Sequence, residues 1–260
     1  MAAGPVLCVD LGNTRGKATL VEPGREPRLL HAGDAGALVP AILRELGPLE
    51  PWRVVLAAVC SPTRAAEVEQ ALRRAFPSAG PTRPVHGLQL EVDSPGTVGP
   101  DRLLAARGAL ELVGGAAVVV QVGTCLTVDA VVGPRGEGDD AAGRFLGGAI
   151  APGPGLLAEA LERGGARLPR VEPDPEAPAL GRDTPRALQA GIGVGLRGAV
   201  RELVLEVGRE AGVVDAPVVL TGGACAFART GLASLERTVY EDAHAVARGM
   251  AAALLRGEAS

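Results

Sequence analysis

Aromatic side chains are scarce in this 260-residue chain: one Trp, one Tyr and three Phe, 2% of the residues. Leu, Val, Ile and Ala must therefore fill the core. Stacking of bases on aromatic faces, the usual device for single-stranded nucleic acid, has little to work with. An excess of positive charge is also missing. Lys and Arg number 26 against 30 Asp and Glu, for a net charge of −4 with three His neutral. The two signs interleave along the chain, which disfavours a polyanionic partner. Cysteine is sparse. Cys8, Cys60, Cys125 and Cys225 form no C-x-x-C pair, so zinc and dithiol motifs are absent, and small reduced, buried residues are expected. The start Met1-Ala2-Ala3-Gly4-Pro5 lacks the charged and apolar regions of a signal peptide. No apolar run reaches membrane-spanning length, so a cytoplasmic location is expected. What remains is ordinary globular composition, 47% hydrophobic and 22% charged, at a size for one large domain or two closely packed ones.

Val6-Leu7-Cys8-Val9 is an apolar run ending at Asp10, and Lys17 to Val21 resumes a strand pattern after a polar, glycine-containing turn. The spacing predicts a hairpin there, a helix over Leu38 to Leu46, a buried strand over Val54 to Val59 and a helix over Arg64 to Phe76. Strand followed by helix points to α/β layers. A second cycle opens near Ala116: an apolar strand, Gln121-Val122-Gly123-Thr124, then a returning strand from Leu126 to Val132. The two hairpins are alike and lie roughly a hundred residues apart, which suits a duplicated domain better than a short repeat. Halves 1–114 and 115–260 are expected to face each other across a cleft. Further on, Pro134 to Gly143, Gly147 to Gly155 and Glu172 to Ala179 read as loops, with helices over Gly155 to Glu162 and Pro185 to Val207. Val218-Val219-Leu220 reads as a strand entering Thr221-Gly222-Gly223, and a final helix including His244 runs to about Leu255.

The chemistry-bearing candidates cluster at these turns. Converging backbone N–H groups bind phosphate oxygens well, and Gly12 lets the chain approach closely. Asn13 and Thr14 add side-chain donors, Lys17 can offset phosphate charge, and Asp10 can hold Mg²⁺ directly or through water. An ordinary hairpin whose Asp and Asn satisfy their own turn is the alternative. Gly123 and Thr124 repeat the pattern, and Gly222 and Gly223 offer a third close approach, suited to the adenosine or α-phosphate. Between the halves, Gly99-Pro100-Asp101-Arg102 sets a carboxylate beside a guanidinium. Asp101 can accept a hydroxyl proton, and Arg102 can bind a substrate carboxylate or the transferring phosphoryl group. Asp101 as a helix N-cap is the plainer reading of the same residues. His31, His86 and His244 are expected to lie apart from one another and from these motifs.

Taken in order, the motifs resemble the type III pantothenate kinases, within the acetate and sugar kinase, Hsp70 and actin superfamily. The resemblance covers nearly the whole chain. It is carried by Asp10-Leu11-Gly12-Asn13-Thr14, by Ala58-Val59-Cys60-Ser61-Pro62, by Gly99-Pro100-Asp101-Arg102 and by the run from Phe145 to Gly153. Ala166-Arg167-Leu168-Pro169, Asp183-Thr184 and Thr221-Gly222-Gly223 follow in the family's order. It implies an α/β fold of duplicated actin-like (ribonuclease H-like) domains with a nucleotide cleft between them. It also implies ATP-dependent phosphorylation of pantothenate, the first step of coenzyme A biosynthesis. Asp101 would be the proton acceptor, Gly99, Pro100, Asp101 and Arg102 would contact pantothenate, and Thr124 with the Asp10 to Lys17 hairpin would hold ATP. Thr184 would reach pantothenate from the neighbouring subunit of a homodimer. Mg²⁺ and a monovalent cation, K⁺ or NH₄⁺, would assist. Two residues depart from the family pattern. Gln121 stands where an aspartate normally ligates the monovalent cation, so that site is expected to be weakened. Val92 stands where many members place a Tyr against pantothenate. A non-catalytic, nucleotide- or pantothenate-binding regulatory homologue is the competing reading. Gln121 favours it; Asp10, Asp101 and Arg102 oppose it.

Overall fold

A computed structural model describes residues 4–12, 15–47, 51, 53–136 and 140–257; Asn13 and Thr14 of the first turn lie outside the described residues. The first sheet is built from β1 (Val6–Leu11), β2 (Gly16–Val21), β3 (Arg28–Gly33), β4 (Arg53–Ala58) and β5 (Pro81–Thr82). Its order is β3-β2-β1-β4-β5. β1 to β3 form an antiparallel meander, and β4 and β5 join in parallel. The second sheet holds β6 (Leu88–Leu90), β7 (Ala117–Val122), β8 (Cys125–Val132), β9 (Gly143–Pro152), β10 (Val218–Thr221) and β11 (Val239–Glu241), in the order β11-β10-β7-β8-β9-β6. With β6 set aside, β9-β8-β7-β10-β11 repeats the order and the strand directions of the first sheet. This is the duplicated ribonuclease H-like, actin-like arrangement.

The repeat gives the two turns an exact correspondence by register. Asp10 is the penultimate residue of β1 and faces Lys17 on β2. Gln121 is the penultimate residue of β7 and faces Thr127 on β8.

Among the described residues seven α-helices cover the sheets: α1 (Leu38–Leu46), α2 (Pro62–Ala75), α3 (Pro100–Val113), α4 (Pro154–Gly164), α5 (Thr184–Glu210), α6 (Ala226–Ala233) and α7 (Ala245–Gly257). α1 and α2 bury Leu38, Ile42, Val68 and Leu72 against Leu7, Val9, Leu11 and Leu56 of the first sheet. Their spacing of three to four residues is what makes one face apolar. α5 lays Ile192, Leu196, Val200 and Val204 on Val118, Val120 and Val128 of the second sheet. The inner layer is exchanged between the sheets. α3 precedes the second sheet's central strands and packs on that sheet through Leu103, Ala106, Ala109 and Leu110. α7, the last element, returns to Val6, Cys8, Val55 and Ala57 of the first.

α3 and α7 cross so closely that no side chain fits at the contact. A Cβ on Gly108 would lie 1.9 Å from the Ala245 carbonyl oxygen, and one on Gly249 would lie 1.9 Å from that of Leu104. Backbone cannot yield there as a flexible side chain can. Gly249→Ala is therefore expected to lower stability by about 3 kcal/mol or more. Gly115→Ala, which meets nothing within 4 Å, should leave the melting temperature nearly unchanged. Equal midpoints for the two variants in thermal unfolding would refute the close crossing.

Two expectations are corrected. Gly147 to Pro152 is not a loop but the end of β9, which runs through Gly143–Pro152 before the turn at Gly153. Its glycines hid a strand: Gly147 adopts φ +98°, and Gly148 has no room for a side chain. A Cβ on Gly148 would sit 2.0 Å from the Val128 carbonyl oxygen on the neighbouring strand. His244 is not inside the final helix, which begins at Ala245. Asp242 ends the preceding segment, its Oδ1 accepting from the His244 backbone N–H.

Candidate active site

The C-terminal ends of β1, β7 and β10 converge with the start of α7 on a cavity of about 160 Å³. Asp10, Lys17, Gln121, Thr221, Gly222, Gly223 and His244 line it, over a floor that includes Cys8 and Met250. The register explains the convergence: Thr221 on β10 pairs with Gln121 on β7. Gly222 then turns at φ +107°, where a Cβ would lie 2.3 Å from the Val122 carbonyl oxygen. Only glycine can bring that turn so close to the end of β7.

Asp10 is half-buried, and loss of solvent pushes its carboxyl up to about 6, helped by the nearby Asp101 charge and opposed by Lys17. Lys17 is lowered, chiefly by burial, with Asp10 and Asp242 pulling the other way. Its Nζ donates to the Ala243 carbonyl oxygen, tying β2 to the segment before α7. Burial lowers His244 as well, with Lys17 adding to the effect. Asp242 is held in turn by Arg248, whose Nη2 also reaches Glu26.

Asp101 occupies the second position of α3 and does not cap the helix. The N-cap is Gly99, with no side-chain capping bond. The Asp101 carboxylate instead folds back so far that a Cβ on Gly99 would stand 2.5 Å from its Oδ1. It acts electrostatically on both Asp10 and Asp129. Arg102 forks onto Asp129 through Nε and Nη2.

Of the residues singled out from sequence, Asp10, Lys17, Gln121, Gly222 and Gly223 come together at the cavity, and Asp101 stands within electrostatic reach. Gly12 donates its N–H to the Arg15 carbonyl oxygen, closing the first turn. Gly123 does the same toward Cys125 in the second, and the Gly153 N–H donates to the Thr124 carbonyl oxygen. Thr184 is exposed at the first turn of α5 and does not line the cavity. Two residues escaped the sequence. His244 was expected apart from the motifs, yet it forms part of the cavity wall. Asp129 is a carboxylate hidden in the apolar run of β8, and only its mid-strand charge signals it.

The donor set suits a hard cation held partly by substrate. No group of three or more His, Cys, Asp or Glu able to hold a metal ion occurs among the described residues. Mg²⁺ characteristically takes one or two carboxylates and completes its shell with water and phosphate oxygens, and the single half-buried carboxylate of Asp10 at the cavity fits that habit. Gln121 Oε1 is shut off from solvent with no hydrogen-bond partner, an oxygen donor without charge. Among the described residues no helix is long and apolar enough to cross a membrane.

Comparison with known proteins agrees with the geometry. The model of the type III pantothenate kinase family matches residues 6–206. The type III pantothenate kinase of Dehalococcoides mccartyi is 32% identical over 238 residues, covering 87% of this chain and 89% of its own length. That of Thermus thermophilus is 37% identical over 199 residues, 73% of each chain. Among solved structures, a Baf family transcriptional activator from Campylobacter jejuni superposes with a TM-score of 0.58 at 15% identity, over 98% of this chain and 100% of that one; this likeness concerns the fold alone. A family match over residues 6–206, with relatives above 30% identity over most of the length, means that the chain belongs to the type III pantothenate kinase family.

Proposed function

We propose that the protein transfers the terminal phosphoryl group of ATP to the primary hydroxyl of pantothenate, the first step of coenzyme A biosynthesis. The observation that carries this reading is the grouping of Asp10, Lys17, Gln121 and the Gly222-Gly223 turn around one small cavity, with Asp101 within electrostatic reach of Asp10. Water occupies roughly 30 Å³ in the liquid. The cavity therefore has room for a phosphoryl group and a few waters, while the nucleoside extends beyond it past Gly222 and Gly223. Gly12 and Gly123, whose own N–H groups close their turns, let the chain approach the polyphosphate closely, and Asn13, Thr14 and Thr124 would supply donors to it. Lys17 offsets its charge. Mg²⁺, when bound, neutralises developing charge on the phosphate oxygens, and Asp10 is the residue that would hold it. Asp101 accepts the proton of the attacking hydroxyl, and Gly99, Pro100 and Arg102 position the acceptor beside it.

The test is a coupled ADP-release assay with Mg²⁺, ATP and pantothenate. Pantothenate-dependent turnover is expected; correctly folded protein that binds ATP but never turns over would overturn the reading in favour of a non-catalytic, ligand-binding relative. Gln121 is the feature that favours that second reading. Calorimetry with pantothenate separates the two, because a regulator binds without reacting.

Gln121 also bears on the monovalent cation. Its neutral carbonyl oxygen replaces a carboxylate, so K⁺ or NH₄⁺ is held weakly here. Rates in K⁺ and Na⁺ should differ by less than about threefold in the wild type, and Gln121→Asp should widen the difference, since ligand charge strengthens a cation site. A strong K⁺ requirement in the wild type counts against the assignment. A homodimer, with Thr184 completing the pantothenate pocket of its partner, is part of the same proposal. The exposed apolar side chains of Ile150 and Leu180 support it, and sedimentation equilibrium measures it.

A further inference from the structure

Asp129 is the buried charge that neither the glycine turns nor the acceptor signature accounts for. It stands in the middle of β8, opposite Val119 on one neighbouring strand and Gly148 on the other. Its side chain is enclosed. A side chain at position 148 would come within 2.5 Å of Asp129 Oδ1, so the space beside this carboxylate stays open only because residue 148 is glycine. Removing a carboxylate from water is unfavourable unless a partner meets it closely.

The partner is Arg102. Its Nε lies 3.2 Å from both carboxylate oxygens, and Nη2 makes a second bond to Oδ1. The Arg102 side chain is itself only 13% exposed, and its guanidinium carbon stands 5.6 Å from the centre of the Phe145 ring. One edge of the guanidinium is thus spent on Asp129. Nη1, on the other edge, has no hydrogen-bond partner among the described residues.

As a mere brace, this pair is a poor choice. Buried ion pairs replaced by apolar residues of similar volume often leave stability unchanged or higher. What a fork onto a rigid strand does supply is one fixed orientation for a long, flexible side chain. Asp101, the residue before Arg102 on α3, is the proposed proton acceptor, so the orientation is fixed where the reacting hydroxyl must lie.

We propose that Asp129 is a positioning residue. It locks the Arg102 guanidinium so that its open edge meets an oxyanion beside Asp101, either the carboxylate of the acceptor or the transferring phosphoryl group. This inference rests on the kinase reading above. Arg102 touches the substrate, and Asp129 acts through it.

Steady-state kinetics on Asp129→Asn tests the inference, with pantothenate and with pantothenol, which carries a hydroxyl in place of the carboxylate. The amide keeps the shape and removes the charge. If Arg102 holds the acceptor carboxylate, KM for pantothenate rises about tenfold, as expected for weakening one charge-assisted contact. KM for pantothenol and the affinity for ATP then stay at their wild-type values. If Arg102 holds the phosphoryl group, kcat falls about equally for both acceptors while ATP affinity is retained. Either pattern supports the positioning role. Wild-type values of kcat and KM with both acceptors overturn it, as does a uniform loss that merely follows a lower melting temperature. Should Asp129→Asn fail to fold, Arg102→Lys decides. That variant keeps the charge and loses the fork, so one of the same two patterns must appear, and wild-type kinetics from it overturn the inference. Absence of pantothenate turnover in the wild type would remove the functional reading and this inference together. An active wild type with an unaffected Asp129→Asn removes the inference alone.

Discussion

Asp101→Asn is expected to reduce kcat by about a thousandfold while ATP affinity changes little, because general-base assistance of this kind contributes on the order of 10²–10⁴ in rate. Asparagine keeps the shape of the side chain at the second position of α3 and cannot take up the hydroxyl proton. The variant makes a second, independent prediction. Asp101 is one of the charges that raise the Asp10 carboxyl to about 6. Its neutralisation should let Asp10 ionise at lower pH, so the acid limb of Mg²⁺-dependent ATP binding should move toward acid. Titrating Mg·ATP binding against pH in wild type and variant measures this directly. A variant that keeps near wild-type turnover contradicts the proton-acceptor role of Asp101, and one whose acid limb stays in place contradicts its electrostatic reach to Asp10.

The other large effect concerns Asp10. In the folded protein its carboxyl titrates at about 6, against an ordinary value of 3.8, mainly because it is buried. A raised acid binds its proton more tightly folded than unfolded. Its favourable contribution is therefore complete below pH 3.8 and is lost as pH rises through about 6. At pH 8 the ionised group then weakens the ligand-free fold by roughly 3 kcal/mol. Asp10→Asn should abolish turnover and yet raise the melting temperature at pH 8. Lys17 loses a partner in that variant, which offsets part of the gain. A net increase of about 5 °C is expected, since 1 kcal/mol corresponds to roughly 2–4 °C at this size. At pH 4 the two proteins should melt together. The same titration predicts that wild-type activity declines below about pH 6, as the carboxylate proposed for Mg²⁺ takes up a proton. A variant less stable than wild type at pH 8 would show that Asp10 is not strained by its surroundings.

Much of the fold was legible because it is written in short, regular patterns. The hairpin of β1 and β2, the helix α1 and the second hairpin of β7 and β8 each announce themselves within about twenty residues by alternation or helical spacing. The likeness of the two hairpins then disclosed the duplication, and the convergence of Asp10, Gln121 and Thr221-Gly222-Gly223 follows from equivalent strand ends. What escaped depends on contacts made far along the chain. β9 looks like a loop because Gly148 is chosen against the backbone of β8, a neighbour invisible in the local pattern, and Gly147 turns the strand at φ +98°. β6 pairs in parallel with β9 although some fifty residues and helix α3 intervene. Asp129 reads as one acidic residue in an apolar strand until Arg102, 27 positions earlier, is placed against it. His244 enters the cavity wall only because the chain closes its last helix onto the first sheet.

That closing helix has a kinetic consequence. α3 belongs to the second sheet and α7 to the first, and they meet backbone to backbone at Gly108 and Gly249. With no side chain between them, the helices cannot slide along each other without backbone collision. The crossing therefore pins the two sheets to each other at one point, and any relative motion of the sheets that carry Asp10 and Gln121 would have to pivot there.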